Sequence, residues 1–313
     1  MASAVTAAIC RRCGKSMQDE WRNCPDCGRP RGRLQHVPLR KQQWWRVLAV
    51  GAVLYWATMK LLESSGNPNF APTVILLGAF LIPVTYVTYL YEADALYDVP
   101  AGTLWLTFFY GGVLGTIAAQ LLEQRLVLNM GVVGMLGVGF SEEIAKPLGT
   151  LWLARRHEFW SARHGFVLGA AAGMGFAAFE TMGYGFTFLI ASRGNLDVLG
   201  EVLLTRGVLS PMAHAAWTAL VVGVFWREGH RINGKVIVAF LTAVLLHALW
   251  DYTAGLIPIE LALPGIDLKW RFVDLSIPEI SLPLPGLVIG ALGLWIVRRA
   301  SRASPAAVAT PLA

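Results

Sequence analysis

The chain has 313 residues, of which 55% are hydrophobic and only 15% charged, and it holds 12 tryptophans. Such a composition excludes a soluble two-domain enzyme and indicates a polytopic membrane protein. The net charge of +6 comes from basic residues clustered beside apolar runs. That is the pattern of topology determinants at an anionic membrane face, so the expected partner is the lipid bilayer and not nucleic acid. The opening segment MASAVTAAIC is too short for a secretory core and has no basic residue before it, so no cleaved signal is expected.

All four cysteines lie in the first 27 residues. Cys10 and Cys13, then Cys24 and Cys27, form two C-x2-C pairs separated by ten residues, each followed by a glycine, Gly14 or Gly28. Four thiolates in this spacing suit tetrahedral zinc, and two such knuckles make a zinc ribbon. A segment this small buries little core, so structural zinc would supply most of its folding free energy. Two disulfides or free thiols are the alternatives. A ribbon over 1–30 carries no chemistry of its own and could recruit a protein partner. A basic linker, 31–43, leads to Trp44 and Trp45 at the membrane interface.

Eight apolar runs follow, each near the ~20 residues needed to cross a bilayer. They lie at about 44–63, 71–91, 101–122, 128–154, 164–192, 206–226, 235–256 and 283–299. The predicted fold class is therefore an all-α polytopic membrane protein of about eight transmembrane helices plus the small N-terminal ribbon. Arg29, Arg31, Arg33, Arg40 and Lys41 precede the first run; Arg155, Arg156 and Arg163 follow the fourth; Arg227, Arg231 and Lys235 follow the sixth; Arg298, Arg299 and Arg302 close the last. The alternate loops are poor in Lys and Arg, which predicts a multi-pass protein of the cell membrane with both termini cytosolic. The proline-rich stretch Ile257–Leu284 reads as an external loop against the membrane surface, and 300–313 as a disordered tail.

Ionisable residues interrupt four of these runs. The fourth contains GFSEEIAK, with Glu142, Glu143 and Lys146; the fifth Glu180; the sixth Arg206 and His214; the seventh His247 and Asp251. Each costs ~2.5–3.5 kcal/mol or more at mid-membrane depth, which makes function the default explanation. At ~1.5 Å per residue, Glu142, Glu180, His214 and His247 all fall in the middle layer of antiparallel helices. Glu142 and Lys146 share one helix face, as do His247 and Asp251, each pair being four residues apart. Gly169, Gly173 and Phe176 lead to Glu180 on roughly one face, and small residues there allow close helix packing. Blander readings exist: a packing salt bridge for Glu142–Lys146, a core histidine for His214, a local pair for His247–Asp251. Arg206 reads as a side chain that snorkels to the interface.

Paired carboxylates in a low dielectric can divide the roles of base and acid, which suits hydrolysis of an amide by activated water. Histidines can donate to an oxyanion, or join the carboxylates in holding a divalent metal. H-E-x-x-H, G-x-S-x-G and intramembrane cysteines are absent, which removes zincin, serine and cysteine mechanisms.

The order Glu142-Glu143-x-x-Lys146, Phe176-x-x-x-Glu180, His214, His247-x-x-x-Asp251 resembles the PrsW family of intramembrane proteases, distant relatives of the CAAX prenyl proteases. The resemblance covers roughly spans three to eight, within a membrane domain of 44–299; the ribbon lies outside it. It implies cleavage of a single-span, membrane-anchored regulatory protein, such as an anti-sigma factor, near the external face. By that resemblance Glu142 or Glu143 is the general base, Lys146 biases their charge, and Glu180 shares a proton or holds the base. His214 and His247 donate to the oxyanion or bind metal, and Asp251 orients His247. Metal dependence stays open, with a lean toward a metal-free site in which Lys146 supplies the positive charge. A proton- or ion-coupled transporter would also bury such groups, yet the polar residues are confined to spans four to seven and no internal repeat is visible. A non-catalytic sensor or scaffold acting through the ribbon is the third class.

Overall fold

The computed structural model describes residues 8–9, 16–17, 43–92, 99–126, 132–151, 162–255 and 284–302. Near the N-terminus, β1 (Ala8–Ile9) pairs antiparallel with β2 (Ser16–Met17), Ala8 facing Met17. The four cysteines of the expected ribbon lie outside the described residues, as do residues 257–283 of the expected external loop Ile257–Leu284 and residues 303–313 of the expected tail 300–313.

The rest is helical. In chain order the helices are α1 (Gln43–Ser65), α2 (Ala71–Glu92), α3 (Ala101–Phe109), α4 (Gly115–Leu126), α5 (Val132–Ala145), α6 (Leu148–Leu151), α7 (Ala162–Ala191), α8 (Leu196–Arg227), α9 (Gly234–Gly255) and α10 (Leu284–Arg302). Among the described residues, six stretches are long and apolar enough to cross a membrane: Gln43–Ser65, Pro68–Glu92, Ala101–Arg125, His164–Ala191, Leu196–Arg227 and Gly234–Tyr252. An all-α polytopic membrane fold follows.

The core is the α7–α8 hairpin. In their most apolar stretches 83% and 78% of the residues are buried, against 6% in α1. Small residues allow this approach: a Cβ on Gly169 would stand 2.7 Å from the Thr218 carbonyl oxygen. Phe108, Leu168 and Met174 fill the cluster where α3 meets α7. By contrast α1 packs on α2 at the edge and turns Val50, Val53, Trp56 and Leu61 outward, as a lipid-facing helix should. Its first turn is closed by α2, the Gln43 N–H donating to Glu92 Oε1 at 2.6 Å.

Three departures from the sequence expectation bear on the site. The fourth run is not one continuous helix: α5 ends at Ala145, and Lys146–Pro147 forms a turn before α6. Pro147 has no N–H to donate to the Glu143 carbonyl, and its ring crowds the preceding turn. The sixth run begins at Leu196 rather than at 206. There the Asn195 side chain accepts from the N–H groups of Asp197 and Val198, and Asp197 stands in the first turn, where the helix dipole favours an anion. Finally, α3 and α4 are joined by a π turn at Tyr110–Leu114, which packs on α7 and α6.

Candidate active site

All eight ionisable residues singled out in the sequence converge between α5, α7, α8 and α9. Glu143, Lys146 and His247 are fully buried; Glu142 and His214 are 4% and 1% exposed. Two glycines set the distances. A Cβ on Gly139 would lie 2.8 Å from the Val244 carbonyl oxygen and 3.4 Å from His247 Cβ, so α5 rides close on α9 beside His247. A Cβ on Gly173 would collide with the backbone of His214.

The deepest layer is an ion cluster. Lys146 Nζ donates to Glu143 Oε1 at 2.6 Å and lies 3.2 Å from Glu142 Oε2. Glu143 Oε1 is also 2.9 Å from His247 Nδ1. The same Nδ1 is 3.3 Å from Lys146 Nζ, and Nε2 points the other way. Around His214 the pattern repeats with the nitrogens exchanged. Its Nε2 is 3.3 Å from Glu180 Oε2, and its Nδ1 is 4.0 Å from Glu142 Oε2. His247 Nε2 lies 3.3 Å from the same Glu142 oxygen.

Glu142 Oε2, His214 Nδ1 and His247 Nε2 are buried, and none makes a well-directed hydrogen bond among the described residues. Orphaned buried acceptors are costly and call for an occupant. One ligand atom from each of these three residues lies within 4.8 Å of the others, which fits a divalent metal.

Two expected roles change. Asp251 meets His247, but at Nε2 and not at Nδ1. Its Oδ2 is 3.4 Å from Nε2, on the open side of the ring, while Glu143 occupies the orienting position at Nδ1. Arg206 does not snorkel. Because α8 starts at Leu196, Arg206 stands about 15 Å into the helix, and its Nη2 pairs with Glu180 Oε2 at 2.7 Å.

Aromatic walls complete the site. Trp217, fully buried, stacks on His247 with centroids 4.8 Å apart and meets His214 edge-on at 5.3 Å. Phe176 lies under Lys146, whose Nζ is 4.6 Å from the ring centroid, and beside His214 at 5.6 Å. Trp217 was not anticipated, although it follows His214 by three positions and so shares its helix face. The cluster opens at one end only gradually: the Glu180, Arg206 and Asp251 side chains are 11%, 17% and 20% exposed.

No curated protein and no solved structure matches the chain significantly. A sequence profile described as PrsW family intramembrane metalloprotease matches residues 99–273, which spans α3 to α9 and every residue of the cluster. That description shifts the weight from a metal-free site to a metal-dependent one, as the orphaned donor set does independently. The chain belongs to the PrsW family of intramembrane metalloproteases and is a multi-pass membrane peptide hydrolase.

Proposed function

We propose that the chain cleaves a single-span, membrane-anchored regulatory protein, of the anti-sigma-factor kind, by metal-dependent attack of water on a peptide bond. The observation that supports this most directly is the meeting of three unpartnered ligand atoms, Glu142 Oε2, His214 Nδ1 and His247 Nε2, in a buried cluster.

Glu142, His214 and His247 are the residues that would hold the ion. When bound, a divalent ion supplies Lewis acidity, polarising a carbonyl and making water a competent nucleophile near neutral pH. Glu143 and Lys146 form the fixed base of the site. Glu143 holds the Nδ1 proton of His247, and Lys146 balances the two adjacent carboxylates. This commits Glu143 to structure, so the doublet does not offer two equivalent bases. Asp251 sets its buried Oδ2 3.4 Å from His247 Nε2, on the open side of the ring. It accepts the proton of the attacking water and returns it to the leaving amine as the C–N bond breaks. Trp217 and Phe176 keep bulk water from the deep face.

The more exposed end of the cluster faces the α7–α8 turn at 192–195. With both termini cytosolic, as the distribution of Lys and Arg suggests, this end is external, and the scissile bond is reached from that side. A zinc ribbon held by Cys10, Cys13, Cys24 and Cys27 then lies in the cytosol as a docking module for a protein partner.

The test uses the full chain in detergent or liposomes with a panel of single-span test substrates. Cleavage is expected to stop on chelation, to return with added divalent metal, and to be absent in folded Glu142→Gln and His247→Ala proteins. Cleavage that survives both chelation and these substitutions would overturn the assignment.

A further inference from the structure

Helices α7 and α8 carry matching side chains at spacings of four residues: Phe176, Glu180 and Tyr184 on one, Arg206, Ser210 and His214 on the other. The helices run antiparallel from the 192–195 turn, so the two series meet as rungs. Phe176 lies against His214. Glu180 Oε2 stands between Arg206 Nη2 at 2.7 Å and His214 Nε2 at 3.3 Å. The Arg206 guanidinium covers the Tyr184 ring, 3.9 Å from its centroid.

The guanidinium is held on two sides, by a carboxylate and by an aromatic face, with only 17% of its side chain exposed. A guanidinium stacked this way is rigid and directional in a manner an ammonium is not. Its placement has one consequence for the cluster. The Glu180 oxygen that Arg206 grips is the one facing His214 Nε2, the nitrogen remote from Glu142. These are ion-pair contacts by distance, and an anion facing Nε2 favours the ring proton there, which leaves the Nδ1 lone pair on the Glu142 side.

We propose that Arg206 is a positioning residue for the metal site: through Glu180 it sets the tautomer and ring orientation of His214. The inference rests on the metal-site reading of Glu142, His214 and His247 given above. It makes Arg206–Glu180–His214 the counterpart of Lys146–Glu143–His247, each a cation, a carboxylate and a histidine in series.

Co²⁺ serves as the probe, its visible absorption reporting ligand geometry in the full-length protein in detergent, with affinity measured by competition against a chelator. The four cysteines are replaced by serine in every variant, so that the ribbon does not compete for the probe, and this background is expected to bind one Co²⁺ at the cluster. Arg206→Gln should weaken binding roughly 10–100-fold and alter the absorption, as loss of an outer partner of a ligating histidine does. Arg206→Lys, which restores the charge but not the planar fork, should recover part of that loss. Adding Arg206→Gln to Glu180→Gln should cost nothing further, since both act through one oxygen. If Arg206→Gln fails to fold, Tyr184→Leu carries the test by loosening the guanidinium without removing its charge, with weaker Co²⁺ binding expected. Unchanged Co²⁺ affinity in folded Arg206→Gln or Tyr184→Leu, or additive losses with Glu180→Gln, would overturn the positioning role alone. Absence of Co²⁺ binding in the cysteine-free protein with Arg206 intact would instead overturn the metal-site reading, and this inference with it.

Discussion

The two halves of the cluster are built from the same residue types and differ in closure. On the α5–α9 side, Glu143, Lys146 and His247 are wholly buried and touch one another at 2.6 to 3.3 Å. On the α7–α8 side, Glu180 and Arg206 keep 11% and 17% of their side chains exposed, and Asp251 on α9 keeps 20%. Buried charge survives only where it is paired, so the first half tolerates little change. The second half borders water or substrate and has room to move protons. On the proposed reading one set of carboxylates does two jobs, and depth assigns them.

The largest expected effect comes from Lys146→Met. It leaves Glu143 buried without its cation, which should cost about 3–5 kcal/mol and prevent stable purification. Adding Glu143→Gln should recover much of that loss, and a thermal melt in detergent reads both. Asp251→Asn should do the opposite. It is expected to leave the melt and Co²⁺ affinity close to wild type while lowering kcat about 10²–10⁴-fold, the usual range for loss of a general base. If Asp251→Asn melts as early as Lys146→Met, the division by depth is wrong. Gly139→Ala pushes α5 off α9, since the new Cβ would start 2.8 Å from the Val244 carbonyl oxygen. A destabilisation of about 1–3 kcal/mol should accompany weaker metal binding, because the Glu143–His247 contact depends on that approach. The smallest effect is that of Asn195→Ala. Removing the cap of α8 should cost about 1 kcal/mol. Its trace should be faster hydrogen exchange in the first turns of α8, with the deep half unmoved.

Much of this site was legible before any coordinates. Ionisable residues in apolar runs are conspicuous because their burial is so costly, and spacings of three and four residues identify shared helix faces. What stayed hidden belongs to relations between helices. The side of His247 that Asp251 approaches, and the rank of Glu143 behind it, depend on helix rotation that a linear pattern does not encode. Arg206 was misplaced for a different reason: Asp197, Glu201 and Arg206 lower the hydropathy of the first turns of α8 and conceal its true start at Leu196. The Asn195 cap is the local signal that would have found it. Pro147 likewise marks the break after α5, although the run around it is apolar enough to read as continuous.

The adjacent glutamates carry a last consequence. Neighbours on an α-helix diverge by about 100°, so Glu142 and Glu143 look out from α5 in different directions. One meets His214 and the open face of His247; the other meets the back of His247. In the text of the sequence they are synonyms, two identical letters side by side, and either seems able to cover for the other. In space they are unlike words, and neither can serve as a spare copy of its neighbour.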